Sequence, residues 1–213
     1  VWAEENTRES IFAALARKET FGTSGPRIRV RMFGGWEFTP ADAVNEKAMA
    51  RAGYGTGTAM GGVLPDRPDA AAGPVFLLAA LMDPNSAPLQ RVQVVKGWLE
   101  NGEAREIIYD VICASGARPD AATRRCPDNG ARVNLEDCSY PLNTGLPGVL
   151  GIWTDPDFDP DEPAFYYVRV LENPTCRWST WDAVRLGIDI PDPLPPTIQE
   201  RAWTSPVWYE ASN

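Results

Sequence analysis

Twenty prolines and 18 glycines are distributed along this 213-residue chain, and they constrain its fold more than any other feature of the sequence. Proline removes a backbone donor and glycine loosens the backbone, so both residues favour turns over long helices. Because 44% of the residues are hydrophobic, the chain can nevertheless bury a substantial core. The composition therefore favours a globular protein built from strands and loops.

Residue patterns locate the expected strands. In residues 27–32 apolar and charged side chains alternate, as in a strand with one buried face. Asn101 and Gly102 separate two strand-like segments, and this dipeptide is typical of a tight hairpin turn. We expect strands at residues 27–32, 75–81, 91–99, 103–113, 164–171 and 206–209 and a short helix at 181–186, with irregular stretches at 34–74 and 114–163.

A helix is expected before the first strand. Asn6 and Glu9 have the spacing of a capping box, and the glycine at position 22 favours an end near Thr20. Apolar side chains recur at helical spacing at Ile11, Phe12 and Leu15. This apolar stripe needs a partner surface. Together the patterns predict a mainly β protein, an antiparallel β-sandwich with an N-terminal helix.

The chain contains no histidine. Histidine is a usual zinc ligand and the usual general base of Ser-His and Cys-His catalytic pairs. These site types are therefore excluded for this chain, and carboxylate chemistry remains. A carboxylate-based glycosidase needs two acids roughly 5 to 10 Å apart in a cleft, whereas the acids here lie mostly in proline-rich loops.

Charge and hydropathy exclude two classes of partner. The net charge is −9, and binding to a phosphate backbone needs a basic surface, so we expect no nucleic acid partner. The longest apolar run, residues 75–82, is too short to cross a bilayer as a helix, so we expect no membrane span.

The four cysteines are Cys113, Cys126, Cys138 and Cys176. They form no CxxC pair, which argues against a zinc knuckle. An even number suits disulfides formed in an oxidising compartment, and buried free thiols are the alternative. Four cysteines allow three pairings, and the sequence leaves all three open.

Acidic residues alternate in one proline-containing loop. Asp155, Asp157 and Asp159 have the spacing at which a loop offers oxygen ligands to Ca²⁺. Pro156 and Pro160 stiffen this loop, and the turn glycine and distal glutamate of a calcium loop are missing. The loop is therefore a candidate calcium site, with a set of acidic Asp-Pro turns as the alternative.

Other residues are candidates for contact with a ligand. The eight tryptophans either fill the core or include a platform for sugar rings. Arg169 lies in the strongest predicted strand, where it either pairs with a carboxylate such as Glu172 or Glu200 or clamps a substrate anion. Thr23 and Ser24 follow the predicted helix and either face an anion or form a plain turn. We take Thr23, Ser24 and Arg169 as candidate residues of a substrate entrance.

Three stretches together resemble one known family: residues 5–31 (ENTRESIFAALARKETFGTSGPRIRVR), 164–178 (AFYYVRVLENPTCRW) and 199–209 (QERAWTSPVWY). They resemble the C-terminal part of the bacterial domain-of-unknown-function family 3604, whose members are similar to PHP-type metal-dependent hydrolases. The resemblance implies a preceding α/β barrel whose histidine and aspartate ligands hold a divalent metal, with zinc in arylsulfatase- or phosphoesterase-like members. Because this chain has no histidine, no catalytic residue and no cofactor is carried over to it.

The resemblance also sets expectations for domains and function. Residues 1–25 would be the last helix and turn of the missing N-terminal barrel, and residues 26–213 a C-terminal β-sandwich accessory domain. We expect a non-catalytic domain, inactive alone, that braces the barrel of a periplasmic or secreted hydrolase and shapes substrate access. The alternative is a carbohydrate- or ligand-binding β-sandwich module.

Overall fold

The computed structural model describes residues 1–68, 71–114, 116–190 and 192–211. Its helices are α1 (Arg8–Ala16), α2 (Glu46–Thr56) and α3 (Trp178–Leu186), with a 3-10 turn at Pro40–Ala43. Its strands are β1 (Phe21–Thr23), β2 (Arg29–Gly35), β3 (Thr58–Ala59), β4 (Val75–Leu81), β5 (Leu89–Glu100), β6 (Glu103–Cys113), β7 (Gly148–Thr154), β8 (Ala164–Glu172), β9 (Thr175–Cys176), β10 (Thr197–Ile198), β11 (Arg201–Thr204) and β12 (Val207–Tyr209).

Two antiparallel sheets dominate the fold. The larger sheet has the order β1-β11-β8-β5-β6, and β12 pairs with the first half of β8 on the edge that β11 also uses. The smaller sheet has the order β3-β2-β4-β7, and β9 pairs with β10 as a separate ribbon. The prediction of a mainly β, antiparallel protein is thereby confirmed.

The two sheets share one hydrophobic core. Alternate residues of β2 and β4 from the smaller sheet meet alternate residues of β5 and β8 from the larger sheet. Their side chains include Val30, Met32, Phe76, Leu78, Val92, Val94, Tyr166, Val168 and Val170. A core built from the inner faces of two antiparallel sheets fits the predicted sandwich.

The strongest strand signals are found where the sequence predicts them. In β8 buried and partly exposed residues alternate from Ala164 to Val170, and this strand lies between β5 and the pair β11 and β12. The hairpin of β5 and β6 turns at Asn101 and Gly102, which both have positive φ as a tight primed turn requires.

Two expectations about irregular segments are wrong. Residues 34–74 contain α2, which begins with Asn45 as its cap and covers the outer side of the smaller sheet through Met49. Its two glycines, Gly53 and Gly55, and the 3-10 turn that precedes it mask the helical pattern. Residues 114–163 contain β7, which pairs along the whole of β4 although its glycines at positions 148 and 151 weaken the strand pattern.

The first helix is shorter than the sequence predicts. It begins after Thr7, whose hydroxyl accepts a hydrogen bond from the Ser10 backbone, so the expected capping box of Asn6 and Glu9 is wrong. It ends at Ala16, because Lys18 takes a positive φ and turns the chain toward β1.

Candidate functional site

The larger sheet has one side turned away from the shared core, which we call the outer face. On β8 its side chains are Phe165, Tyr167 and Arg169, because the alternate residues of this strand point into the core. The register places Trp208 and Gly97 beside Phe165, and Gln93 and Trp203 beside Arg169. The outer face therefore has an aromatic end and a polar end along a single strand.

The aromatic end forms a groove of about 460 Å³ between β5, β6, β8 and β12. Phe165 and Tyr167 stack nearly parallel, with ring centroids 6.4 Å apart and an interplanar angle of 11°. Trp208 packs against Phe165 at 5.4 Å and is 44% exposed. Gly97 lies beneath the Phe165 ring, and a Cβ atom at this position would lie 2.3 Å from the ring. The absence of a side chain at Gly97 thus lets Phe165 lie flat on the sheet.

The polar end holds four arginines, which we call the arginine cluster: Arg91, Arg125, Arg169 and Arg201. Arg125 Nη1 lies 3.4 Å from Asp110 Oδ1, and Arg91 Nε lies 3.8 Å from Asp110 Oδ2. Asp110 is buried and also accepts a hydrogen bond from the Cys126 backbone at 2.7 Å. The Asp110 carboxylate therefore lies within ion-pair distance of two guanidinium groups, those of Arg91 and Arg125.

Gln93 joins Arg169 to this carboxylate. Its amide nitrogen donates to Asp110 Oδ1 at 2.6 Å, and its amide oxygen accepts from Arg169 Nε at 2.7 Å. The expected carboxylate partners of Arg169 are thus wrong. Glu172 accepts from Ser86 and Glu200 accepts from Ser24, so a neutral amide holds Arg169 in place.

Burial lowers the pKa of Arg91. Repulsion by the other three members of the cluster lowers it further, and only the charge of Asp110 acts in the opposite direction. Desolvated like charges in one place favour the binding of an anion, which reduces both effects. The polar end of the outer face is therefore an electrostatically positive region of an otherwise acidic chain.

The other two substrate-entrance candidates lie beside this cluster. Thr23 ends β1 and pairs with Ala202 of β11. The Ser24 hydroxyl accepts from the Arg201 backbone N–H at 2.9 Å and donates to the Glu200 carboxylate. The structure thus brings Ser24 next to Arg201, while the Arg169 strand lies on the other side of β11.

A second cavity lies between α1, β2 and α2, and we call it the N-terminal cleft. It measures about 840 Å³, and its lining includes Trp2, Arg17, Glu19, Arg31 and Tyr54. None of these residues stands out in the sequence, because they come from segments separated by long stretches of chain. Only the fold brings them together.

Glu19 is the centre of the charges in the N-terminal cleft. It is buried and accepts hydrogen bonds from Arg31, Arg17 and the Tyr54 hydroxyl. The Arg31 guanidinium also lies 4.5 Å from the centre of the Trp2 ring and 5.1 Å from that of Tyr54. Burial, followed by the hydrogen bond to Glu19, raises the pKa of the Tyr54 phenol.

The acidic loop uses its carboxylates within the protein. Asp155 Oδ2 lies 2.8 Å from Lys96 Nζ and also accepts from Tyr166, and Asp157 Oδ2 accepts from Arg124 at 3.0 Å. Asp159 accepts from the backbone of its own turn. These contacts give no support to the calcium hypothesis. Among the described residues no group of three or more His, Cys, Asp or Glu is placed to hold a metal ion.

The cysteines form two disulfides, Cys113–Cys126 and Cys138–Cys176. The first closes the loop that brings Arg125 to Asp110, and the second ties the 114–146 segment to β9. Two disulfides fit an extracellular or periplasmic location. No helix in the described part of the chain is long and apolar enough to cross a membrane.

Comparison with known proteins identifies the family of this chain. No curated protein and no solved structure matches the chain. A family model described as a protein of unknown function, DUF3604, matches residues 1–211. Since the match covers nearly the whole chain, this protein belongs to the DUF3604 family.

Proposed function

We propose that this chain is a non-catalytic accessory β-domain of a periplasmic or secreted, PHP-like metal-dependent hydrolase. In this proposal it belongs to the C-terminal part of the family and packs through α1 against the barrel that carries the metal. The observation that supports it most is the exposure of two large apolar side chains of α1, Phe12 and Leu15, to solvent.

Helix α1 exposes two large apolar side chains that a folded protein usually buries. Ala14 is its buried residue, whereas Phe12 is 71% exposed and Leu15 is 51% exposed. Burying such a side chain stabilises a complex by roughly 1.5–3 kcal/mol. A partner surface that covers both residues would therefore gain several kcal/mol, which suits a neighbouring domain.

The position of the N-terminal cleft supports a role in substrate access. Arg17 and Glu19 follow α1 directly and line the cleft. A barrel that packs on α1 would therefore lie at the rim of the cleft. The polar side chains of this cleft would then border the approach to the barrel.

Zinc in this proposal belongs to the barrel and not to this chain. A zinc site needs three or four nitrogen, sulfur or carboxylate ligands. The cysteines here are consumed in disulfides, and no described cluster of acids offers such a set.

The experiment is a calorimetric titration of the full chain with a PHP-like barrel domain from the same family. We expect saturable binding that Phe12→Asp and Leu15→Asp each weaken by at least about tenfold. Leu99→Asp is the matched control, because Leu99 is 66% exposed at the hairpin of β5 and β6. A wild-type chain that does not bind, or α1 variants that bind equally well, would overturn the proposal.

A second candidate function is ligand binding on the outer face. The aromatic end offers two stacked rings and a partly exposed tryptophan, an arrangement on which sugar rings stack. We expect oligosaccharides to raise the melting temperature of the chain, and Trp208→Ala to abolish this rise. Trp178→Ala is the control, since Trp178 is 72% exposed on α3. No stabilisation by any sugar would eliminate this candidate.

A further inference from the structure

We propose that the arginine cluster binds an oxyanion, a carboxylate or sulfate, carried on a sugar chain whose ring lies on the neighbouring aromatic residues. This inference rests on the ligand-binding function proposed for the outer face and names its ligand class.

Positive charge exceeds negative charge in the arginine cluster. Two guanidinium groups, those of Arg91 and Arg125, lie within 4 Å of the one buried carboxylate, Asp110. The guanidinium groups of Arg169 and Arg201 are close enough to repel that of Arg91. The remaining direct partners are neutral: Gln93 accepts from Arg169, and the Gln199 backbone accepts from Arg201. This local excess of positive charge occurs in a chain of net charge −9. Such an excess, held by defined contacts, is suited to a second anion.

One hydrogen-bond donor of the arginine cluster, on Arg91, is incompletely satisfied. Arg91 Nε is buried and has no hydrogen-bond partner within the described residues, although Asp110 lies at 3.8 Å. Buried polar atoms without a partner are rare in native structures. A guanidinium presents donors in a planar fork, which matches the oxygens of a carboxylate or sulfate. Asp110 alone therefore does not satisfy this guanidinium, whose side chain is 26% exposed and open to a second anion.

Two aromatic residues, Tyr167 and Trp203, lie next to Arg169 on the outer face. Tyr167 lies two residues before Arg169 in β8, so the two side chains stand on the same face about 7 Å apart. Trp203 lies directly across from Arg169 on β11. A ligand held by the arginines therefore has aromatic surface beside it, as an acidic sugar requires.

The chemistry distinguishes this ligand from other anions. Polyanions such as nucleic acid are repelled by the overall charge of −9. A free inorganic anion would use the arginines and leave the aromatic surface without a role. A single oxyanion on a sugar ring uses both halves of the outer face.

The experiment is calorimetric titration of the full chain with four ligands: a galacturonate oligomer, a sulfated galactose oligomer, the neutral galactose oligomer and inorganic sulfate. We expect at least one acidic oligomer to bind about tenfold or more tightly than the neutral oligomer and inorganic sulfate, with an affinity that falls as salt is raised.

Variants connect the affinity to the cluster. Arg125→Gln and Arg169→Gln should each weaken binding of the acidic oligomer by about tenfold. Arg125 is 46% exposed, so its replacement preserves the fold, which the melting temperature will verify. Arg51→Gln is the matched control, because Arg51 is exposed on α2, which packs on the smaller sheet. Its affinity should equal that of the wild type.

The outcomes separate this inference from the function on which it rests. Equal binding of neutral and acidic oligomers would overturn the oxyanion site and retain sugar binding. Inorganic sulfate that binds as tightly as the acidic oligomers would overturn the sugar ligand. Equal losses in Arg51→Gln and Arg125→Gln would overturn the role of the cluster. A failure of every sugar to bind would overturn both the inference and the second candidate function.

Discussion

Lys96 of the larger sheet and Asp155 of the loop after β7 form an ion pair of 2.8 Å in which both side chains are almost completely buried. Tyr166 donates to the same carboxylate, and Lys96 also donates to the Asp157 carbonyl. The pair therefore connects the two sheets at one end of the core.

Removing the lysine should be costly. Lys96→Met leaves Asp155 buried without its cation, and we expect the free energy of unfolding to fall by about 3–5 kcal/mol. Urea denaturation measures this quantity. Arg105→Gln, which breaks surface ion pairs, should cost less than about 1 kcal/mol. A Lys96→Met protein as stable as the Arg105→Gln protein would show that the buried pair does not hold the sheets together.

The two disulfides should contribute to stability to similar degrees. They close loops with sequence separations of 13 and 38, for which the chain-entropy estimate is about 3 and about 4 kcal/mol respectively. Replacing either pair by alanines should lower the free energy of unfolding by the corresponding amount, which urea denaturation measures.

The same two variants should differ in ligand binding. Only the loss of Cys113–Cys126 releases the loop that brings Arg125 to Asp110. We therefore expect weaker binding of an acidic oligomer in the Cys113→Ala/Cys126→Ala protein alone. Equal binding by both double variants would argue against a role for this loop in the outer face.

Two glycines of α2 should respond oppositely to alanine. A side chain at Gly53 would lie 2.3 Å from the Phe33 ring, whereas nothing lies within 4 Å of the same position at Gly55. Gly53→Ala should therefore destabilise the chain by about 1–3 kcal/mol through overpacking. Gly55→Ala should stabilise it by up to about 1 kcal/mol through helix propensity. Thermal melts measure both melting temperatures. A higher melting temperature for Gly53→Ala than for Gly55→Ala would contradict the packing of α2 on β2.

Glu172 should make stability depend on pH. Burial and, to a lesser degree, repulsion by Glu200 and Asp83 raise its pKa, a hydrogen bond from Ser86 opposes them, and the net pKa is about 7. The native carboxyl therefore holds a proton between about pH 4.5 and 7 that unfolding releases. This contribution to stability is present at pH 4.5 and is lost as the pH rises to 7.

Glu172→Gln removes this titration. Relative to the wild type, the variant should gain on the order of 2 kcal/mol between pH 5 and pH 8. Urea denaturation at both pH values measures the gain, and Glu103→Gln, at an exposed position, should show none. Parallel pH profiles of wild type and Glu172→Gln would show that this carboxyl titrates normally in the folded protein.

Local patterns predict six of the strands, β2, β4, β5, β6, β8 and β12, but not the sites. The alternation in β8 and the Asn101–Gly102 turn depend on neighbouring residues, so the sequence reveals them directly. The α2 helix is missed because Gly53 and Gly55 lower its helix propensity. Only Gly53 is needed for close packing, against Phe33, and this tertiary requirement has no local pattern.

The contacts of the sites are long-range. Arg169 is a sequence-based candidate, but its partner Gln93 lies 76 positions away, and an amide in that place carries no local signal. The N-terminal cleft likewise depends on Glu19 and Tyr54, which meet only after α2 packs on the smaller sheet. The acids of the 155–161 loop are conspicuous in the sequence, but Asp155 pairs with buried Lys96 and Asp157 pairs with Arg124 at the surface.

Hydrogen exchange of the full chain, with and without a PHP-like barrel domain from its family, tests the central claim most directly. The account predicts that the barrel slows exchange of the α1 amides, Arg8–Ala16, by at least about tenfold and leaves the hairpin turn at Asn101 and Gly102 unchanged. Exchange in α1 that stays the same at a saturating concentration of the barrel would contradict it.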